Sequence, residues 1–531
     1  MTTRTPQATA AQVRSWLHDG QEIAFLDVRE AGQFGEGHPF FAIPLPYSRL
    51  ELEILKLVPR KATRVVLLDA GDGVSEHAAS RLKTLGYTQL HILTGGAPGW
   101  LAAGYVLFKG VNLPSKTFGE QVEHSFGTPH ISAQQLQARL SSGEPLLLLD
   151  GRTFEEHRKM TIPGAISVPN GELAARWHTL APDATTPIVI HCAGRTRSII
   201  GAQILRSLGI PNPVVALENG TQGWALAGLS LEHGSTRRAS GPITAGETER
   251  SLAAHEAAQA GVPKLTAAQA QGWLDDSQRT TYVLDVRSAE EFAAGTLPGA
   301  RHAAGGQLLQ ATDQTIGVRG SRVIVLDDEN VRAPVMAAWL RRLGLDAATV
   351  EGGITAPLQV RPVASPVLSV VPEISPDELA TWVAQHQPQL MDVQPSLAYR
   401  TRHAAGAAWS VRPRIVSDVQ SGQAGKAASP DRHVLLLAAD RSTAQLAATD
   451  LLAAGLHHVS WAPVDSWVRA GLALQATPAW PTDADAIDFL FFVHDRHDGN
   501  LEAARRYLAW ETGLIAQCQP DELGVFRLPA A

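Results

Sequence analysis

One pattern recurs four times along the chain: an apolar strand that closes on an aspartate, at residues 23–29, 146–152, 282–287 and 389–394. Asp27, Asp150, Asp285 and Asp392 stand 107 to 135 residues apart, the size of a domain and too long for the roughly 20–50 residues of a solenoid unit. A chain of 531 residues also exceeds the roughly 250–300 at which a single core stops growing. The repeat therefore predicts four duplicated domains, over 1–112, 118–235, 262–362 and 372–474, with a C-terminal extension over 475–531.

Each copy opens with a Ser/Thr capping signal and a short helix, loosest at residues 5–9 and clearer at Ser132, Thr266 and Ser375. After the aspartate comes a Pro/Gly/Ala turn, then a second continuous apolar strand ending at Asp69, Cys192, Asp327 or Ala438. A helix, a third strand and a turn follow, the turn carrying Trp100, Trp224 or Trp467 and lacking the Trp in the third copy. Continuous apolar strands alternating with helices indicate a parallel sheet covered on both faces, so each copy reads as a small α/β domain. Those tryptophans read as packing residues. Linkers are expected around 113–115, 234–263 and 361–372, and the extension carries a strand and a helix over 501–512.

A 44% apolar and 18% charged composition with a net charge of −7 describes a globular chain without the global positive field that grips nucleic acid or anionic lipid. No apolar run approaches the roughly 20 residues of a membrane span, and the polar start lacks a secretory layout. A cytoplasmic protein is expected, with neither nucleic acid nor membrane as partner. Cys192 and Cys518 are the only cysteines, too few for a disulfide framework or a four-thiolate metal cage. No metal and no cofactor are expected.

Of the four aligned strand ends, only the second carries a thiol. Ligands bind beyond the carboxyl ends of parallel strands, and amides opening the next helix favour an anion. A cysteine there is drawn towards thiolate. The following loop, Ala193, Gly194, Arg195, Thr196, Arg197 and Ser198, adds a glycine that frees the backbone to curl and two cations. The other copies combine none of this. Asp69 and Asp327 are expected to repel an anion, and Ala438 offers no nucleophile.

The strand end at Asp150 and Arg152, residues 162–165, the run 191–198 and the terminal Gly223 and Trp224 together resemble the rhodanese (sulfurtransferase) family. The resemblance spans about 470 residues as four tandem copies, strongest in the second and faintest in the fourth. It implies that Cys192 takes a sulfane sulfur from a small anionic donor, carries it as a persulfide, and yields it to a cyanide or thiol acceptor, a protein acceptor included. The 193–198 backbone would form the cradle, Arg195 and Arg197 would attract the donor and stabilise charge, and Asp150 would order the loop through amide hydrogen bonds. Arg152 fits an internal ion pair. Family members with two domains use an arginine early in the next loop, where Arg158 is the candidate, although a solvated surface side chain suits it better. Two loop cations favour thiosulfate as donor.

Two other readings stand beside this one. A cysteine phosphatase or arsenate reductase resembles His-Cys, five residues, then Arg, but Arg197 is the fifth residue after Cys192 and the sixth is Ser198, so the loop is one residue short. A non-catalytic scaffold or sulfur carrier is the alternative of a different class, since three copies lack the thiol. In the extension, Arg496 or His497 could reach a catalytic cleft and Cys518 could act as a second thiol, though no activating charge flanks it.

Overall fold

The computed structural model describes residues 4–422, 431–496 and 499–529. Its first three units each contain a five-stranded, wholly parallel sheet of one topology. In the second unit the strands run, edge to edge, His130–Ile131, Val214–Leu217, Ile188–His191, Leu147–Asp150 and Ile166–Ser167. The aspartate-terminated strand is thus flanked by the strand that delivers the cysteine, and Asp150 lies opposite His191 in register. Asp27 with Leu68, Asp285 with Leu326 and Asp392 with Leu437 repeat that register, which makes Asp69, Cys192, Asp327 and Ala438 equivalent positions.

The fourth unit keeps four parallel strands, Ala408–Trp409, Gln389–Asp392, Val434–Ala438 and Val459–Pro463. Its outer edge is reduced to a single bridge between Glu373 and Trp461, so the faint copy has also lost a strand.

Both faces of each sheet are buried, as the unbroken apolar strands require. In the second unit Ile188 and Ile190 face Ile199 and Ile204 of the helix Thr196–Ser207, whereas Leu148 and Val189 face Leu136 and Trp224. The first face does not stop at the domain: one apolar cluster runs through Leu26 and Leu67, Ile190 and Leu205, and Val323 and Trp339. Three units therefore share a core, while the fourth keeps its own around Leu436 and Leu451. Trp100, Trp224 and Trp467 are buried and each donates its indole N–H to the carbonyl six residues on, so they pack and cap a turn as the sequence suggested.

Two of the three expected linkers are structured. Residues 113–115 open the helix Leu113–Phe126, which packs against the helix Thr196–Ser207. Within 234–263 lies the helix Glu247–Gln259, fastened to the third unit by a buried ion pair between Glu256 and Arg342. Composition missed both because their apolar and ionic partners lie in other units. In the extension the helix Leu501–Thr512 forms as expected. No helix among the described residues is long and apolar enough to cross a membrane.

Candidate functional site

Cys192 follows directly on the strand Ile188–His191, and its loop turns into the helix Thr196–Ser207. The side chain is 3% exposed, and the Ser198 hydroxyl, one turn into that helix, donates to its sulfur at 3.1 Å. The loop is seated on the turn before Trp224: Thr221 donates its amide to the Cys192 carbonyl at 2.8 Å and Gln222 to that of Ala193 at 3.0 Å. Gly220, at φ +52°, is required there, because a Cβ would stand 2.2 Å from the Cys192 carbonyl oxygen.

The cysteine-free copies reveal what such a loop holds. In the first unit the Asp69 carboxylate accepts amides from Gly71 at 2.9 Å, Gly73 at 3.2 Å and Ser75 at 3.0 Å. In the third, Asp327 accepts those of Asn330, Val331 and Ala333 at 2.9 to 3.2 Å. Each carboxylate fills an amide ring at the helix start, which accords with the expectation that it would turn away a further anion. The fold thus builds an anion cradle in the first and third copies and fills it with a side chain of its own. In the second unit the plug is replaced by the Cys192 thiol.

Asp150 does not hold this loop. It accepts from Arg152 (backbone N–H, Nε and Nη2), from the Thr161 hydroxyl at 3.0 Å and from His157 Nδ1 at 3.1 Å. Arg152 in turn donates to the Met160 carbonyl at 2.5 Å. The same clamp recurs where there is no cysteine: Arg29 joins Asp27 to the Gly37 carbonyl, Arg287 joins Asp285 to that of Gly295, and Gln394 joins Asp392 to that of Arg402. Asp150 and Arg152 are therefore a structural staple common to the repeat. What the second copy adds is histidine. His157 and His191 are fully buried around Asp150, and burial drives the His191 imidazole down to about 4.

The two loop cations are already paired. Arg195 turns away to Glu120, at 2.8 and 2.9 Å, and to Glu123, both on the helix Leu113–Phe126. Arg197 forms a two-point pair with Glu156 at 2.7 Å, which, against the cost of burial, holds that carboxyl down at about 2. Arg332 and Glu291 make the equivalent pair in the third copy, so this bridge too belongs to the architecture. Both cations are thus ion-paired, Arg197 remaining electrostatically coupled to Cys192, and sequence could not show the pairing because Glu120 and Glu156 lie 75 and 41 residues from their partners. Arg158 is exposed, as its surface reading required.

Elements outside the copy approach the site. Gln307 of the third unit lies 3.3 Å from Arg197, and it lines, with Gly305 and with Arg152, Phe154 and Gly171 of the second unit, a cavity of about 630 Å³ between these units whose lining does not include Cys192. On the other side the extension contributes Glu511, which accepts from the Thr196 hydroxyl at 2.9 Å and from Lys116 at 2.9 Å. Lys116, Glu120, Glu123, Glu156 and Glu511 were not singled out from sequence. Arg496 stacks on the Tyr507 ring at 3.6 Å, while His497 lies outside the described residues. Cys518 packs near Leu113 and Leu514, and burial pushes its thiol up to about 12. Among the described residues no cluster of three or more His, Cys, Asp and Glu could hold a metal ion.

Comparison with known proteins agrees with this geometry. The crystal structure of thiosulfate sulfurtransferase from Pseudomonas aeruginosa is 39% identical, aligns over 98% of this chain and 99% of its own, and superposes with a TM-score of 0.87. Among curated relatives, YrkF of Bacillus subtilis is 31% identical over 102 residues, 19% of this chain and 54% of its own. An HTH-type transcriptional regulator of Mycobacterium tuberculosis is 35% identical over 113 residues, 20% of this chain and 48% of its own. The chain thus spans about half the length of these curated relatives. The model of the rhodanese-like domain matches residues 9–103, 132–227 and 266–357. With a near full-length structural counterpart and three matched copies, the chain belongs to the rhodanese family.

Proposed function

We propose that the protein is a sulfurtransferase that moves a sulfane sulfur from thiosulfate through a Cys192 persulfide to a nucleophilic acceptor such as cyanide or a thiol. The observation that carries this reading is that a thiol, Cys192, stands at the position where the Asp69 and Asp327 carboxylates each accept three loop amides in the first and third copies. A site that holds a carboxylate in two copies holds the anionic outer sulfur of a persulfide in the third.

In the first half-reaction the Cys192 thiolate attacks the sulfane sulfur of thiosulfate. A new S–S bond forms, the donor S–S bond breaks, and sulfite leaves with its electron pair. In the second, cyanide attacks the outer sulfur, thiocyanate leaves, and the thiolate returns. The amides of the 193–198 loop stabilise the charge in both states, and Ser198 donates to the sulfur. Because Arg195 and Arg197 are neutralised by carboxylates, the preference for thiosulfate rests on the backbone cradle and on the name of the full-length relative. A phosphatase role is disfavoured, since the one arginine able to close over a phosphoryl group is held by Glu156.

Mass spectrometry after incubation with thiosulfate tests this. A gain of one sulfur on Cys192, released as thiocyanate on adding cyanide and absent in Cys192→Ala, is expected. No adduct, or one on Cys518, overturns it.

A further inference from the structure

Glu511 lies outside every copy of the repeat, 1% exposed, on the last turn of the helix Leu501–Thr512. It touches the cysteine loop at two places. Its Oε1 accepts the Thr196 hydroxyl and the Lys116 ammonium, both at 2.9 Å. Its Oε2 has no hydrogen-bond partner and stands 2.9 Å from the point where a Cβ on residue 194 would be. Gln222, buried beside the same point with its Nε2 3.5 Å away, has neither amide atom partnered. A carboxylate this deep is retained only where something repays its burial. Here Lys116, itself buried and set over the Tyr507 and Trp510 rings, supplies the countercharge.

The repeat supplies a control. Gly194 was expected to serve backbone curvature, but it is not among the glycines of positive φ, and the third copy has Glu329 at the equivalent place. The missing side chain is instead what lets Glu511 approach. At the position of Thr196 the other loops carry Gly73, Val331 and Ser442, and at that of Gly194 they carry Gly71, Glu329 and Asp440, so no other copy pairs a glycine with a hydroxyl. The two features that receive Glu511 therefore occur together only in the copy that carries the cysteine.

We propose that Glu511 is a positioning residue of the sulfur-transfer site: the C-terminal extension, through Thr196, Lys116 and the gap at Gly194, holds the 193–198 backbone in its anion-cradling form. This rests on Cys192 being the persulfide carrier. The device suits a buried loop whose remaining long side chains, Arg195 and Arg197, are likewise tied down, so that the amides, not mobile cations, meet the transferred sulfur.

The test compares full-length wild type with Glu511→Ala, Thr196→Val, the double variant, Gly194→Ala, and Gly194→Ala combined with Glu511→Ala, in stopped-flow persulfide formation from thiosulfate, with circular dichroism confirming the fold. Loss of one hydrogen bond to a charged group predicts about a tenfold lower maximal rate for Glu511→Ala and for Thr196→Val, with the double variant no slower than the worse single. Gly194→Ala should also be slow, and removing Glu511 from it should restore part of the rate by making room for the Cβ. Should Glu511→Ala not fold, Thr196→Val and Gly194→Ala carry the test: slowing of both supports the proposal, and wild-type rates in either overturn it. Folded Glu511→Ala at the wild-type rate, or Gly194→Ala equally slow with and without Glu511, also overturns it. Wild type that forms no persulfide at Cys192 refutes the sulfurtransferase reading itself, a distinct outcome.

Discussion

Ser198 donates its hydroxyl to the sulfur of Cys192 across 3.1 Å, and the thiol is otherwise enclosed by its own loop. A hydroxyl aimed at the sulfur stabilises negative charge carried there while sulfur is being transferred. Ser75, in the same register of the first copy, has a buried hydroxyl without a partner. The first and second copies thus share the hydroxyl, which the third and fourth replace with Ala333 and Ala444, and it acquires an acceptor where the carboxylate gives way to sulfur.

Replacing that hydroxyl by a hydrogen should slow thiolate chemistry. For Ser198→Ala the rate of persulfide formation from thiosulfate should fall about tenfold, the worth of one charge-assisted hydrogen bond. An unchanged rate would show the contact to be incidental.

The carboxylate plug in the third unit can be removed. Asp327→Ala strands the amides of Asn330, Val331 and Ala333 and should cost about 2 kcal/mol. Sulfate at tens of millimolar should then raise the melting temperature of the variant more than that of wild type, because the emptied ring accepts it. Equal effects on the two proteins would contradict the cradle.

His191, directly before the cysteine, makes acid a threat to the fold. Burial lowers its imidazole from 6.5 to about 4, so below pH 6.5 the unfolded chain takes up a proton that the folded one refuses. Stability is whole above 6.5 and falls as pH drops towards 4, by about 3 kcal/mol in all from this group. Urea midpoints between pH 7 and 4 should fall less steeply in His191→Gln. Parallel slopes would refute it.

Cys518 should be dispensable. With its thiol raised to about 12 by burial, hardly any of it is thiolate at neutral pH. Cys518→Ser should keep wild-type transfer to cyanide, and a tenfold loss in that assay would require a second sulfur carrier.

The sequence alone determined the unit and its chemistry. Strands that end in aspartate at domain-sized intervals could only be duplicated α/β domains, because the period-free apolar runs must be buried on both faces and the capping and turn residues lie within a few positions of what they cap. A single thiol at one of four equivalent strand ends likewise marked the candidate reactive atom without any tertiary information. An internal ion pair for Arg152 was legible for the same reason, although its partner is Asp150, which the resemblance assigns to the loop amides. What only the tertiary structure decided is everything that depends on partners far along the chain. Arg195 belongs to Glu120, Arg197 to Glu156, and Thr196 to Glu511, 315 residues away; the supposed linker at 113–115 opens a helix packed against the helix Thr196–Ser207; and Asp69 and Asp327, expected to repel an anion, do so from inside an amide ring that they fill. A charge has the same letter in the sequence whether solvated or paired, and only the packing of units around a shared core determines which carboxylate it meets.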